Sequence, residues 1–374
     1  MKDFVCIGGK CEESCCIGWT IPIDASTYKK YQRVKDEAFK RRLHKELVPK
    51  RQGATSDYVA KIKLKNNRCA FLDQEGWCGI YKELGEKYLS TTCTLYPRTI
   101  NEVKGVLEYS LVCSCSEAAR KILLQEEPIT WEETHETSSV VVISGCIPSE
   151  GKKGDVLHDY FEEIRAIFWS IFQNRNEDFE SRLLRLQQFI KELDYFNQQR
   201  NYQKLKPLFE KTEASLKRPL KEGATGEVFK LKEELGKLQA LRELKDVKLK
   251  SKRYEMLLKK ILKAYYGEKE DERSLIRHYE VGEQQYRDTF LKTRGYLLEN
   301  YFVNYIYERC VPFDQERPQA SFHILKLYYD VLKLHFIGLL LAEKELNDEQ
   351  VICLIQAFSK TFDHGELEIY YFER

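Results

Sequence analysis

The sequence predicts a mainly α protein in which a small α+β, cysteine-rich metal-binding domain is followed by a helical domain. Three observations predict it. Ten of the twelve cysteines fall before residue 150, and only Cys310 and Cys353 lie beyond it. From Leu157 onward apolar residues recur at steps of three and four, the period of a helix with one buried face. Between the two regions runs a polar stretch holding Pro128, Pro148, Gly151 and Gly154, residue types that punctuate regular structure. The expected division is 1–125 for the cysteine-rich domain, 126–155 for a connector and 156–374 for the helical domain.

Within the first region, Asp24 leads into a predicted helix over residues 25–47. Alternation from Tyr58 to Leu64 predicts a half-buried strand, and Gly76 a turn after it. A hairpin is expected over 99–112, turning at Lys104 and Gly105, and Ser116 is placed as the N-cap of a helix over 117–124. A short strand is expected at 140–143 inside the connector. Beyond it, Leu157, Phe161, Ile164, Phe168 and Ile171 mark one helical stripe, and Leu183, Leu186, Ile190 and Leu193 the next. Tyr254, Leu258, Ile261 and Leu262 form a third, and Tyr286, Phe290, Leu297, Tyr301, Phe302, Tyr305 and Ile306 a fourth. Residues 203–253, rich in Lys and Glu with Pro207, Pro219, Gly223 and Gly226, read as exposed helices separated by loops.

Composition excludes several classes of function. A chain that is 43% hydrophobic and 32% charged has the balance of a globular protein and not of a disordered one. With 61 basic against 59 acidic side chains, no global field draws it onto nucleic acid or anionic lipid, so neither is expected as a partner. No apolar run approaches the roughly eighteen residues of a membrane span, and the most apolar stretch, 336–342, follows the polar Lys333 and His335. The first residues lack the hydrophobic core and small-residue cleavage site of a secretory leader, so a cytoplasmic location is expected. In a reducing compartment a high cysteine count points to metal or redox chemistry instead of disulfides.

The cysteines are spaced for convergence. Cys11, Cys15 and Cys16 lie in one short segment, Cys69 and Cys78 flank a turn, Cys93 stands before Tyr96-Pro97-Arg98, and Cys113 and Cys115 close the region. A soft ion takes about four sulfur ligands at roughly 2.3 Å, and thiolates delivered from separate tight turns meet such a demand. Cys115, at a predicted helix start, gains from the free N–H groups there, and Arg68 and Arg98 add positive charge. The adjacent pair Cys15-Cys16 does not easily place both sulfurs on one ion. Neither a radical S-adenosylmethionine loop nor a zinc ribbon is present, since Gly18 stands where the former needs its third cysteine. Spacing therefore leaves iron and zinc both open. Cys146, Cys310 and Cys353 read as small packing residues.

The segments Phe4-Val-Cys-Ile-Gly8, Cys11-Glu-Glu-Ser-Cys-Cys-Ile-Gly-Trp19, Trp77-Cys-Gly-Ile-Tyr81, Leu89-Ser-Thr-Thr-Cys-Thr-Leu-Tyr-Pro-Arg98 and Cys115-Ser-Glu-Ala-Ala-Arg120 resemble the flagellin lysine N-methylases of bacteria. Leu298-Glu-Asn-Tyr-Phe-Val-Asn-Tyr305 is similar to that family's carboxy-terminal half, and the cysteine segments also resemble small zinc- or iron-chelating proteins. The resemblance implies methyl transfer from S-adenosylmethionine to the side-chain amines of surface lysines of flagellin, by an enzyme carrying an iron–sulfur cluster of the 4Fe-4S type, with zinc as the alternative. It implies Cys6, Cys11, Cys15, Cys16, Cys69, Cys78, Cys93 and Cys115 as the metal ligands. Ser116 stands where the family pattern carries proline, and Cys113 is additional to it. A noncatalytic metal-binding adaptor and a metal-storage protein are the alternative readings.

A free lysine amine, with a pKa near 10.4, must lose its proton before it attacks a sulfonium methyl. The site must therefore desolvate the amine or supply a base. Tyr81, Glu86, Tyr96 and Glu108 are the candidate bases in the cysteine-rich half. No glycine-rich nucleotide loop follows a strand, so the sequence locates no methyl-donor pocket and no catalytic residue, and it leaves the oligomeric state open.

Overall fold

A computed structural model describes residues 4–135, 141–151, 155–218, 231–244, 251–267, 272–315 and 317–363. It is mainly α, and among the described residues the strands are confined to the first 150. The first region opens with β1 (Pro22–Ile23) and α1 (Ala25–Gln32), followed by α2 (Glu37–Glu46), β2 (Leu47–Pro49) and β3 (Ala60–Ile62). These strands form a small antiparallel sheet in the order β1-β3-β2. The helix expected over 25–47 is thus two helices. Asp36 accepts a hydrogen bond from Phe39 N at 2.8 Å and starts α2 afresh, and the bend before it buries Val34. The strand expected from Tyr58 is shorter than its alternation implied, because Tyr58 is taken up in a tight turn with Thr55 and β4 (Leu64–Lys65) pairs away with β5 (Arg68–Cys69).

Next come α3 (Gly79–Leu84), α4 (Thr91–Leu95), the hairpin β6 (Arg98–Val103) and β7 (Val106–Leu111), then α5 (Ser116–Leu123) and β8 (Gly145–Ile147). The hairpin turns at Lys104 and Gly105 as expected, both at positive φ. Cys115, not Ser116, is the N-cap of α5. Residue 140 lies outside the described residues, and the rest of the strand expected there is absent: Val141, Val142 and Ile143 are exposed and unpaired with any strand, while β8 pairs in parallel with β6 two residues later.

The remaining elements are α6 (Phe161–Phe172), α7 (Phe179–Gln198), α8 (Leu205–Ser215), α9 (Leu231–Glu243), α10 (Lys252–Tyr266), α11 (Glu272–Gln285), α12 (Lys292–Arg309), α13 (Pro318–Glu343) and α14 (Asp348–Phe362). The Lys- and Glu-rich stretch is less exposed than its composition implied, since Leu238, Leu241 and Leu244 are buried. A π-helical turn, Tyr286–Leu291, joins α11 to α12 without a break and inserts one residue into the helical phase.

α13 is the central pillar, packed by α7, α9, α10, α11 and α14. Its length and apolarity do not make it a membrane span; no described helix is long and apolar enough for one. Apolar on all sides, it is a helix surrounded by protein. Gly338 permits the approach of α10, because a Cβ there would lie 2.5 Å from Ile261 Cγ2. The two polar residues beside its most apolar stretch are both fully buried and both satisfied. Lys333 Nζ donates to Glu180 at 2.8 Å and Glu283 at 2.9 Å. His335 bonds Tyr254 Oη through Nε2 at 2.7 Å and the Val331 carbonyl through Nδ1 at 2.7 Å. A lysine at the centre of the core is thereby neutralised by carboxylates from two other helices, which fixes the register of α13 against α7 and α11.

The first region is not packed as an isolated unit. Residues from Cys16 to Ile80 form one small core, but Phe4, Leu111, Cys113, Ala118, Ala119 and Ile122 belong to the same continuous core as the helices. α5 seats on α12 and α14, and Asn300 reaches back to the Leu123 carbonyl at 3.0 Å.

Burial holds the His335 imidazole neutral, lowering its pKa from 6.5 to about 4. The unfolded chain takes up a proton near pH 6.5 that the folded chain refuses until about pH 4, so this contribution to stability is complete above 6.5 and is lost as pH falls through that window. His335→Gln should flatten the corresponding fall, on the order of 3 kcal/mol, in urea-unfolding free energies measured between about pH 7.5 and about pH 4.5; an unchanged slope would contradict the assignment.

Candidate metal centre

Short turns deliver the cysteines to one place. The Cys11–Cys16 segment has no regular structure of its own, yet its end is stitched to β5: Cys69 N donates to the Cys16 carbonyl at 2.7 Å, and Ile17 bridges Arg68. Cys78 is brought back beside Cys69 by the turn at Gly76, where Gly79 N donates to the Phe71 carbonyl at 2.7 Å. Cys93 is set in α4 by Ser90, whose hydroxyl accepts from Cys93 N at 3.3 Å. α4 is in turn tied to α1 by Asp24, which accepts from Thr27 N at 2.8 Å and from both Thr91 N and Thr91 Oγ1 at 3.1 Å. Those bonds outweigh burial and hold the Asp24 carboxyl well below the usual carboxylate range.

The result is a thiol cluster centred on Cys16. Its thiol hydrogen-bonds with the sulfurs of Cys15, Cys69 and Cys78, and Cys93 lies against the same small core. Those bonds push the Cys16 pKa far up, and they pull Cys15, Cys69 and Cys78 down, Cys78 to about 6. One proton on Cys16 thus stabilises negative charge on its neighbours. Cys93 receives no such help, and burial raises it to about 12. Cys11 and Cys115 form a second group one step away, near each other and Cys15. All twelve cysteines are free. Among the described residues no three Cys, His, Asp or Glu side chains stand as a ready-made ligand cage.

Of the eight cysteines singled out from the sequence, seven are thus gathered and Cys6 stands apart. It is exposed, and among the described residues its sulfur accepts only from Gly8 N at 3.4 Å. The loop after it lies flat on Trp77, and a Cβ on Gly8, whose φ is +56°, would fall 2.2 Å from that ring. Cys113 is buried in the helical core, away from the cluster, and Cys310 is buried beside Asn101. Cys146, expected to pack, is exposed. Arg68 is exposed on β5, and Arg98 lies over the Phe4 ring at 5.2 Å. Among the candidate bases, Glu108 is taken by Arg165 in a two-pronged pair at 2.8 and 2.7 Å, while Tyr81 and Glu86 are exposed. Tyr96 alone faces a cavity, its hydroxyl 3.2 Å from Ser114 Oγ.

That cavity is a cleft of about 750 Å³ between the Tyr96–Arg98 turn, β6, β8 and the last turn of α12. Glu308, Asp314 and Asp363 line it, and sequence reasoning missed all three because nothing in the spacing of carboxylates along helical stretches separates them from ordinary surface charge.

The helical region clamps the cysteine loop. Glu13 Oε1 accepts from Ser251 Oγ at 2.9 Å and Lys360 Nζ at 3.1 Å, and Lys360 also donates to the Ser14 carbonyl at 3.3 Å. Arg120 pairs with Glu12 and Glu117, and Gln356 donates to the Ser114 carbonyl at 2.8 Å.

Fold and site together define a helical protein built against a cysteine-thiol centre. Residues 165–374 match the model of the FliB lysine N-methylase C-terminal domain. The chain belongs to the FliB lysine N-methylase family. It is 31% identical over 135 residues to a lysine-N-methylase of Salmonella choleraesuis strain SC-B67, covering 36% of this chain and 33% of that protein. It is 33% identical over 125 residues to the flagellar biosynthetic protein FliU of Salmonella muenchen, covering 33% of this chain and 73% of that protein. A lysine-N-methylase of Salmonella typhimurium matches at 31% over 132 residues, 35% of this chain and 32% of its own length. The matched part therefore spans about a third of the two lysine-N-methylases. No solved structure matches.

Lys360 and Glu13 are about 90% buried, at 9% and 10% exposure, and the other cation at Glu13, Arg253 Nε, stands off at 3.8 Å, so removing Lys360 leaves the carboxylate undercompensated. Lys360→Met should cost about 2 kcal/mol in denaturant unfolding, and adding Glu13→Gln should recover part of it; strict additivity of the two changes would show that the pair is not coupled.

Proposed function

We propose that this chain is a protein-lysine N-methyltransferase that takes its methyl group from S-adenosylmethionine and places it on surface lysines of flagellin in the cytoplasm. Membership of the FliB family across the helical region carries this reading, and the flagellar naming of the Salmonella muenchen relative supports the choice of substrate.

We further propose that the cysteine centre holds an iron–sulfur cluster of the 4Fe-4S type, with zinc as the alternative. The donor set fits a thiophilic centre. Cys16 stands beside the thiols of Cys15, Cys69 and Cys78, and thiols brought this near suit a soft cation, which displaces their protons when it binds. Cys15, Cys16, Cys69 and Cys78 would hold the centre, with Cys93, Cys11 and Cys115 next to them. Bound there, the group would supply a cross-link between chain segments that are otherwise joined by short turns. Cys6 has no place in that set unless its loop lifts from Trp77.

The chain's own part in methyl transfer is to bind the acceptor lysine, strip water from its amine and remove a proton so that the nitrogen lone pair faces the sulfonium methyl. Glu108 is unsuited to that role because Arg165 already occupies both its oxygens.

Two experiments test the proposal. Anaerobically purified protein incubated with flagellin and methyl-labelled S-adenosylmethionine should label flagellin lysines, and a blank result with protein of full metal content would favour the adaptor reading. Cys69→Ala should lower soluble protein and bound iron or zinc together; loss of activity with folding and metal intact would overturn the structural role of the centre.

A further inference from the structure

The geometry points to the cleft at the end of α12 as the seat of the acceptor lysine, with Glu308 as the base that takes its proton; this inference rests on the methyltransferase reading above. The cleft has the volume of an ordinary ligand site, which runs from about 300 to about 1,000 Å³. Leu95 and Val112 supply apolar wall for a methylene arm.

Its charged end suits a cation. α12 terminates there, at Cys310 in a left-handed cap with φ of 55°, so the carbonyls of its last turn present the negative end of the helix dipole. Three acidic residues line the cleft. Asp363 is committed, accepting from Tyr301 Oη at 2.9 Å and from Ser359. Asp314 has a buried Oδ1 with no hydrogen-bond partner among the described residues. Glu308, whose side chain is 11% exposed, meets Arg309 Nε only at 3.9 Å, and among the described residues its carboxylate accepts no hydrogen bond. Of the two guanidiniums at the cleft, Arg309 lies over the Tyr305 ring and Arg98 over the Phe4 ring.

Burial, helped by Asp363 and opposed by Arg309, raises the Glu308 pKa to about 8. The other groups near it are Cys113, following β7, and Asn101 of β6, which bonds the Glu308 carbonyl at 2.7 Å. A base titrating near neutral pH is matched to deprotonating an amine at physiological pH. In the reaction the ammonium proton passes to the Glu308 carboxylate. The nitrogen lone pair then forms the N–CH3 bond as the S–CH3 bond of the sulfonium donor breaks, its electron pair remaining on sulfur as a thioether.

The test compares wild type, Glu308→Gln and Ser144→Trp, the last placing an indole in the cleft from the exposed Ser144 on its wall. Two quantities are measured: kcat with S-adenosylmethionine and flagellin, and affinity for a flagellin-derived lysine peptide against the same peptide with norleucine. Glu308→Gln should lower kcat about 100-fold and weaken the lysine peptide about tenfold while leaving the norleucine peptide unchanged. Ser144→Trp should weaken both peptides. A Glu308→Gln protein with kcat within about threefold of wild type and equal preference for lysine overturns the proposal. Should wild type transfer no methyl at all, the methyltransferase reading fails on its own, and the peptide affinities alone decide whether the cleft takes an ammonium. Should Glu308→Gln not fold, undiminished peptide binding by Ser144→Trp is the overturning result.

Discussion

The buried carboxylate of Glu13 is the constraint on which the cysteine centre depends. The loop that carries Cys11, Cys15 and Cys16 has neither helix nor strand to position it, and fixing each of its residues costs about 1–2 kcal/mol of conformational entropy. The opposing force comes from elsewhere in the chain. Glu13 is drawn between Ser251 at the start of α10 and Lys360 near the end of α14, and its neighbour Glu12 is drawn to Arg120 of α5. A charge removed from water needs its counter-charge, so the loop can occupy only the position in which the helices meet it. The sulfur cluster is consequently a product of the whole fold and not of the cysteine-rich residues alone.

Much of this fold can be read from local pattern, and the departures share a cause. The β6–β7 hairpin was legible because turn residues and alternation agree, and the helical half because its stripes repeat at a helical period. The break between α1 and α2 was hidden since both halves read as helix and only the capping preference of Asp36 divides them. Val141, Val142 and Ile143 have strand-forming side chains, but no buried face awaits them. Lys and Glu residues along 203–253 concealed the leucines that seat α9. For the site, the convergence of seven cysteines was readable from type and spacing. The isolation of Cys6 was not, because it follows from how Gly8 and Trp77 pack. Glu308 was invisible for a related reason: its significance lies in burial at a helix end, which no sequence periodicity encodes.

Two thiols at helix starts show how local electrostatics and burial compete. Cys78 and Cys115 are the N-caps of α3 and α5, and each is approached by backbone N–H groups of its helix. Cys78 also receives the Cys16 hydrogen bond and falls to about 6, whereas Cys115, without such a donor, rises under burial to about 12. A helix terminus alone therefore does not make a thiolate here; a second donor decides the sign.

The π turn at Tyr286–Leu291 bears on the evolution of the two ends it joins. One residue more or fewer in a helix rotates everything downstream by about 100°. On the near side of the turn Glu283 is pledged to Lys333 of the central pillar, and on the far side Asn300 anchors α5 while Glu308 lines the cleft. A family member that lost the extra residue would have to give up one of these two alignments, so the length of this otherwise inconspicuous segment should be inherited together with both.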